Sequence, residues 1–205
     1  MHSLNIVILA AGQSSRMRGL DKLLLPVGSE PQLRRVTRAA LATGCHVIVA
    51  LSAAFPNRAA CIADLAVQGA QVADPTEGIA GSIRAAAQQV ARGAAVMILP
   101  ADMPALGYSD FATIVAAHML APSAILRGAA QQRAGHPVVI PADLVPELQQ
   151  VRGDIGARDL IAAHADRLRL VALPGQNATL DLDTPEEWAE WLALTESPPM
   201  SGTAT

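Results

Sequence analysis

The chain has 205 residues, one domain's worth of sequence, with 51% hydrophobic, 16% charged and 2% aromatic residues and a net charge of −3. That composition excludes a disordered chain, and mild acidity with scattered basic residues gives no sequence-independent hold on nucleic acid. Cys45 and Cys61 form no CxxC or His/Cys cluster of metal-ligand spacing, which argues against a zinc site and for a reducing compartment.

The opening MHSLNIVILAAG lacks a basic start and its apolar run is too short for a signal peptide. No stretch approaches the roughly 20 apolar residues that cross a bilayer, so a cytoplasmic protein with no membrane partner is expected. Leu4–Ala11 reads instead as a buried parallel strand, followed by a polar loop over Gly12–Asp21. Gln32–Thr43 has helical periodicity and stops at Gly44. His46–Leu51 is a second buried strand, with a helix to follow around Asn57–Val67. Gln71–Ala73 reads as a short strand, Gly81–Ala91 as a helix and Ala94–Leu99 as a third long apolar strand. Ser109–Met119 looks helical; Ser123–Leu126 and Pro137–Ile140 look like strands around a polar turn at Gln131–Gly135. Helices are expected at Ala142–Val151 and Ala157–Ala165 around the loop Arg152–Gly156, with strands at Leu168–Leu173 and Ala178–Leu182. Thr184-Pro185-Glu186-Glu187 spells a capping box for a final helix through Leu194. Residues 196–205, rich in Ser, Pro, Gly and Thr, read as a disordered tail.

Strands alternating with helices imply an α/β layer with a mostly parallel sheet, and a ligand beyond the carboxyl ends of its strands. Three loops lie at such ends: Gly12–Asp21, the segment from Asp74, and Ala101–Met103. The first loop holds Lys22, the one lysine beside fourteen arginines. A compact ammonium and a guanidinium are not interchangeable where a point charge must reach a phosphate. In LAAGQSSRMRGLDK, from Leu9 to Lys22, small residues Ala10, Ala11 and Gly12 let backbone amides approach an anion, and Arg16 and Lys22 supply charge. The spacing fits neither a P-loop nor a dinucleotide fingerprint. Asp102, after an apolar strand, faces the ligand crevice and can hold a divalent cation. Asp181 and Asp183, two apart on an expected strand, point to one face, and one of them would complete that site. In Asp74–Ser82, Gly78 and Gly81 permit close backbone approach and Ser82 offers a hydrogen bond.

LAAGxSxRM…K resembles the signature of the MobA-like NTP transferase family, the nucleotidyltransferases of the molybdenum-cofactor group. The form with two alanines is similar to its cytidylyltransferase branch. Pro100-Ala101-Asp102-Met103-Pro104 resembles the family's metal-binding motif, and Leu180–Glu186 its DIDTPED-like ending. Asp74–Ser82 resembles N-P-x-W-x-x-G-M-x-x-S but lacks the asparagine and the aromatic. Gly135–Ile140 and Gly153–Arg158 resemble GHPVLF and GDxGAR, on the side where the acceptor would bind; alternatively, His136 is structural and Asp154 and Arg158 form a local ion pair.

The resemblance, running from Leu4 to about Leu194, implies a single-domain, three-layer, Rossmann-like nucleotidyltransferase fold over residues 1–195. It implies a nucleotide held by Leu9, Ala10, Ala11, Gly12, Arg16, Lys22, Asp74, Gly78, Gly81 and Ser82. Lys22, Arg16 and Asp102 would be the catalytic groups, and Mg²⁺ would sit on Asp102 with Asp181 or Asp183. The reaction would be transfer of CMP from CTP to a phosphorylated pterin-type acceptor, with a molybdoenzyme or its maturation chaperone as a further partner. GTP, a sugar-phosphate acceptor, and a non-catalytic cofactor carrier remain as alternatives.

Overall fold

The computed structural model describes residues 3–13 and 15–196. In chain order the elements are β1 (Leu4–Leu9), β2 (Pro26–Val27), β3 (Glu30–Pro31), α1 (Gln32–Leu41), β4 (His46–Leu51), α2 (Pro56–Ala60), β5 (Gln68–Gln71) and α3 (Ile79–Ala87). They continue with β6 (Ala95–Pro100), α4 (Tyr108–Leu120), β7 (Ile125–Ala130), β8 (Arg133–Ile140), α5 (Arg158–Ala163), β9 (Leu168–Ala172) and α6 (Pro185–Glu196). Short 3₁₀ turns occur at Ser15–Met17, Lys22–Leu24, Pro75–Glu77, Val145–Gln150, Gly153–Ile155 and Ala165–Arg167.

Seven strands form one sheet in the order β5-β4-β1-β6-β8-β7-β9. All run parallel except β8, which is antiparallel to both neighbours. The alternation of side chains along a strand divides the core between two faces. Ile6 and Ile8 pack with Leu33, Val36 and Ala40 of α1 and with Phe111 and Ile114 of α4. Val7 and Leu9 pack with Ala80, Ile83 and Ala86 of α3 and with Leu160 and Ile161 of α5. Helices on both sides of a central sheet give the three-layer α/β fold. β1 reads as a continuous apolar run because both its faces are covered; burial of each such Ile or Leu stabilises by about 1.5–3 kcal/mol. Among the described residues no helix is long and apolar enough to cross a membrane.

The register of the central strands positions the candidate site. Leu9 lies beside Pro100, and the Ala101 amide donates to the Leu9 carbonyl at 3.1 Å. The loops that leave β1 and β6 therefore start side by side. A third, smaller apolar cluster joins Met17 of the first loop to Leu182 and Trp188, so the last helix is packed against the loop that follows β1.

Several sequence-based expectations shift. Ala178–Leu182 is not a strand. Pro174-Gly175-Gln176-Asn177 turns the chain, and the Gln176 carbonyl accepts from both Thr179 and Leu180 amides at 2.9 Å, which removes those donors from any ladder. β5 begins three residues before the expected strand at Gln71, because pairing of Ile48 with Gln68 sets its start. The expected helix over Ala142–Val151 is a 3₁₀ helix at Val145–Gln150; in the expected helix Pro146 would be interior, where it lacks the amide that would bond to the Ala142 carbonyl. Past α2 the chain continues as i→i−3 turns at Ile62 and Ala63 rather than as helix to Val67. The polar turn narrows to Gln131 and Gln132, both at positive φ, the backbone of a tight hairpin. The expected tail beyond residue 196 lies outside the described residues.

Candidate active site

The cleft lies beyond the carboxyl ends of β1 and β6 and encloses about 450 Å³. On one side it is lined by Gly12, Gln13, Arg16 and Lys22 from the first loop; on the other, by Gly78 and Ser82. Asp102, Asp181 and Asp183 form its acidic corner, and His136 and Asp154 its far wall.

Lys22 occupies the centre of that corner. Asp21 caps the turn Lys22–Leu24 by accepting from the Leu23 amide at 3.1 Å, which fixes the backbone from which Lys22 projects. Its Nζ lies 2.5 Å from Asp102 Oδ2 and 2.9 Å from Asp183 Oδ1, and donates to the Leu182 carbonyl at 3.2 Å. Burial disfavours the ammonium, but the adjacent Asp102 and Asp183 carboxylates outweigh it and hold the Lys22 pKa above the ordinary lysine value. Arg16, largely exposed, pairs with the other oxygen of Asp183.

Asp102, Asp181 and Asp183 each offer an oxygen within 4.8 Å of the others. Asp181 and Asp183 reach the same corner from an irregular segment rather than from a sheet strand. The segment is held by α6: Thr184 and Glu187 exchange the two capping-box hydrogen bonds at 3.3 and 3.0 Å, and the Asp183 amide donates to Glu187 at 2.8 Å. Trp188 Nε1 donates to the Leu182 carbonyl at 3.2 Å. Burial, together with the neighbouring Asp102 and Asp183 charges, pushes the Asp181 carboxyl up to about 6.

The remaining sequence candidates divide. Leu9, Gly78 and Ser82 line the cleft. Ala10 and Ala11 are packed into the two cores, 1% exposed each, directly beneath the loop. Asp74 points to solvent and caps the next turn by accepting from the Thr76 amide at 2.8 Å. Gly81 lies in the first turn of α3, where a Cβ would stand 3.1 Å from Glu77. Gly78 has positive φ, and a methyl group there would overlap the Asp154 carboxylate, so glycine is needed for these two loops to close the cleft wall.

A smaller chamber of about 120 Å³ opens beside the cleft and shares Leu9, Ile79, His136 and Asp154 with it. Its walls are otherwise apolar apart from Arg127 and Arg158. Burial, aided by the nearby Arg127 charge, lowers the His136 pKa to about 4, so the imidazole is neutral at neutral pH. Its Nδ1 is buried without a hydrogen-bond partner among the described residues. Burial and the neighbouring Arg158 also lower the Arg127 pKa. Among the described residues no ion pair joins Asp154 to Arg158. Sequence reasoning missed Arg127, whose arginine carries no motif, and Arg58, a buried side chain behind the first loop.

Residues 6–168 match the model of the MobA-like NTP transferase domain; Asp181, Asp183 and α6 lie beyond the matched stretch. Nicotine blue oxidoreductase of Paenarthrobacter nicotinovorans is 26% identical over 190 residues, covering 88% of this chain and 92% of its own. The bifunctional protein GlmU of Leifsonia xyli subsp. xyli is 33% identical over 128 residues. That match takes in 60% of this chain but 26% of GlmU, so this chain corresponds to about a quarter of that relative's length. Among solved structures, Rv0371c of Mycobacterium tuberculosis H37Rv superposes with a TM-score of 0.82 at 26% identity, over 94% of this chain and 98% of that one. A complex of Rv0371c with manganese superposes with a TM-score of 0.78 at 24% identity, over 94% and 98%.

Proposed function

Because the chain belongs to the MobA-like NTP transferase family, we propose that it transfers a nucleoside monophosphate from a nucleoside triphosphate to a phosphate-bearing acceptor, with release of pyrophosphate. One observation carries the reading: Lys22 and three carboxylates converge at the end of a small-residue loop, on the ligand side of the sheet. An acceptor phosphate oxygen forms the new bond to the α-phosphorus, and the bond from that phosphorus to the oxygen bridging the β-phosphate breaks. The nucleophile is already anionic and needs no general base. What the protein supplies is alignment and neutralisation of charge. Lys22 and Arg16 meet the departing pyrophosphate, while Gly12 and Gln13 seat the triphosphate against the loop.

The acidic corner suits a hard divalent cation. Its donors are all carboxylate oxygens, and the Asp181 pKa is raised by burial first and then by the Asp102 and Asp183 charges, a crowding of negative charge that a cation would relieve. Asp102, Asp181 and Asp183 would hold it, and when bound Mg²⁺ would neutralise phosphate oxygens at the reacting centre. An ion must then compete with a proton for Asp181. Magnesium affinity is expected to rise with pH through about 6 and to level off above it. Calorimetry at a series of pH values checks this; affinity as tight below that value as at neutrality would remove Asp181 from the site.

CTP is the favoured donor, supported by the two alanines before Gly12. The favoured acceptor is a phosphorylated pterin of the molybdenum-cofactor type, with its non-reacting part in the chamber bordered by His136, Arg127 and Arg158. A cytoplasmic setting is part of this reading. A second reading follows from the relative called an oxidoreductase, which covers 88% of this chain. Equilibrium binding of CTP, GTP, ATP and UTP with Mg²⁺, followed by pyrophosphate release on adding acceptor, separates the two. Preferential CTP binding with pyrophosphate release supports transfer; no triphosphate binding, with a reduced dinucleotide bound instead, favours oxidation–reduction.

A further inference from the structure

Arg58 sits on the short helix α2, behind the first loop and outside the cleft lining. Its side chain is 1% exposed, yet carries a full charge that burial makes costly unless it is paired and hydrogen-bonded. Nε donates to Asp21 Oδ2 at 2.7 Å. One terminal nitrogen donates to two loop carbonyls, Ala10 at 2.8 Å and Gly12 at 2.7 Å. The guanidinium also lies 4.1 Å from the centre of the Phe55 ring, within reach of a cation–π attraction.

These contacts reach both parts of the loop that matter for an anion. In a planar trans peptide, the carbonyl of one residue and the amide of the next point in opposite directions. Holding the Ala10 and Gly12 carbonyls at the back of the loop turns the Ala11 and Gln13 amides away from Arg58. Among the described residues neither amide donates to a protein acceptor, and Gly12 and Gln13 face the cleft. At the loop's other end, Asp21 uses one oxygen for Arg58 and the other to cap the turn that carries Lys22. We propose that Arg58 is the positioning residue of the nucleotide site: it aims the loop amides at the triphosphate and, through Asp21, sets the place of Lys22. This rests on the reading that residues 10–22 receive a nucleoside triphosphate.

The test compares wild type, Arg58→Lys, Arg58→Ala and Asp21→Asn for CTP·Mg²⁺ affinity, KM for acceptor and melting temperature, all well below melting. Lysine keeps a cation opposite Asp21 but cannot donate to Asp21 and both carbonyls together. Arg58→Lys is therefore expected to weaken CTP binding by about tenfold or more, with the acceptor KM within about twofold, and Arg58→Ala by more still. Asp21→Asn, which can retain the cap, should lose about three- to fivefold in CTP affinity; it carries the test if the Arg58 variants do not fold. Unchanged CTP affinity in folded variants, whatever their melting temperature, would reduce Arg58 to a structural role and overturn the proposal. Failure of wild type itself to bind any triphosphate would overturn the nucleotide reading instead, an outcome distinct from variants that bind as wild type does.

Discussion

Asp102→Asn is expected to lower kcat/KM for nucleotidyl transfer by about 10³-fold, equivalent to roughly 4 kcal/mol of transition-state stabilisation. Asparagine preserves the shape of the side chain, so the effect isolates charge. The backbone that presents residue 102 is fixed independently of its side chain: Ala101 donates to Leu9 and accepts from the Gln32 amide at 2.9 Å. Lys22 retains Asp183 at 2.9 Å, which should keep the melting temperature close to that of wild type. The carboxylate triad falls to two members, and divalent affinity measured by calorimetry should fall with the activity. Burial and two adjacent charges hold the Asp181 pKa up; removing one of those charges should lower it. Activity within tenfold of wild type would take Asp102 out of the reaction centre.

Much of this arrangement was legible in the sequence, for a physical reason that also marks where legibility ends. Strands covered on both faces must be apolar throughout, so β1, β4 and β6 appeared as unbroken runs; the carboxyl ends of β1 and β6 pointed to two of the three loops, and the third, from Asp74, follows β5. A solitary lysine among arginines and an aspartate after an apolar strand could be read because each departs from its surroundings. Long-range pairing leaves no such trace. β8 begins at Arg133, in a segment too polar to suggest a strand, because its partner β7 and the tight Gln131–Gln132 hairpin fix its start. Ala178–Leu182 has the alternation of a strand, but β8 reaches it with the single bond from the His136 amide to the Ala178 carbonyl at 2.8 Å, and Gln176 in the turn before it captures the Thr179 and Leu180 amides. The juxtaposition of Asp181 and Asp183 was expected from the period of two along a strand, whereas the fold brings their carboxylates together from an irregular segment held by a capping box. Arg58 was invisible: Asn57-Arg58-Ala59-Ala60 reads as an ordinary helix start, and the carbonyls that engage Arg58 lie more than forty residues away.

The first loop is held from three directions, none of them by the loop's own residues alone. Arg58 of α2 grips its carbonyls from behind. Trp188 of α6 and Leu182 bury Met17 from the C-terminal side, and Arg18 pairs with Glu186 at 2.8 Å. The register of β1 with β6 brings Asp102 to its edge. On the nucleotide reading, a loop that is glycine-containing and largely exposed would otherwise lose conformational entropy on binding; bracing from α2, β6 and α6 reduces that loss beforehand.

Lys22→Ala separates the charge balance that Lys22 provides from the role in transfer proposed for it. As the cation between Asp102 and Asp183 it neutralises a corner in which a third carboxylate also lies. Removing it leaves partly buried negative charge uncompensated, which should destabilise the metal-free protein by about 2–4 kcal/mol, toward the lower figure because the carboxylates are partly solvated. For a chain of this size that is a fall of roughly 5–15 °C in melting temperature. Added Mg²⁺ should restore more stability to the variant than it gives wild type, because in wild type the ammonium already occupies the space between the carboxylates and competes with the ion. Ligand-dependent stabilisation follows RT ln(1 + [L]/Kd), so melting curves across a magnesium series measure the competition directly. Transfer activity behaves oppositely. At saturating Mg²⁺ the variant should remain about 10²–10³-fold below wild type, because the ion neutralises the carboxylates but does not replace a point charge on the departing pyrophosphate. Rescue of both stability and activity by Mg²⁺ would assign Lys22 to charge balance alone. Rescue of stability without activity would place its ammonium on the triphosphate.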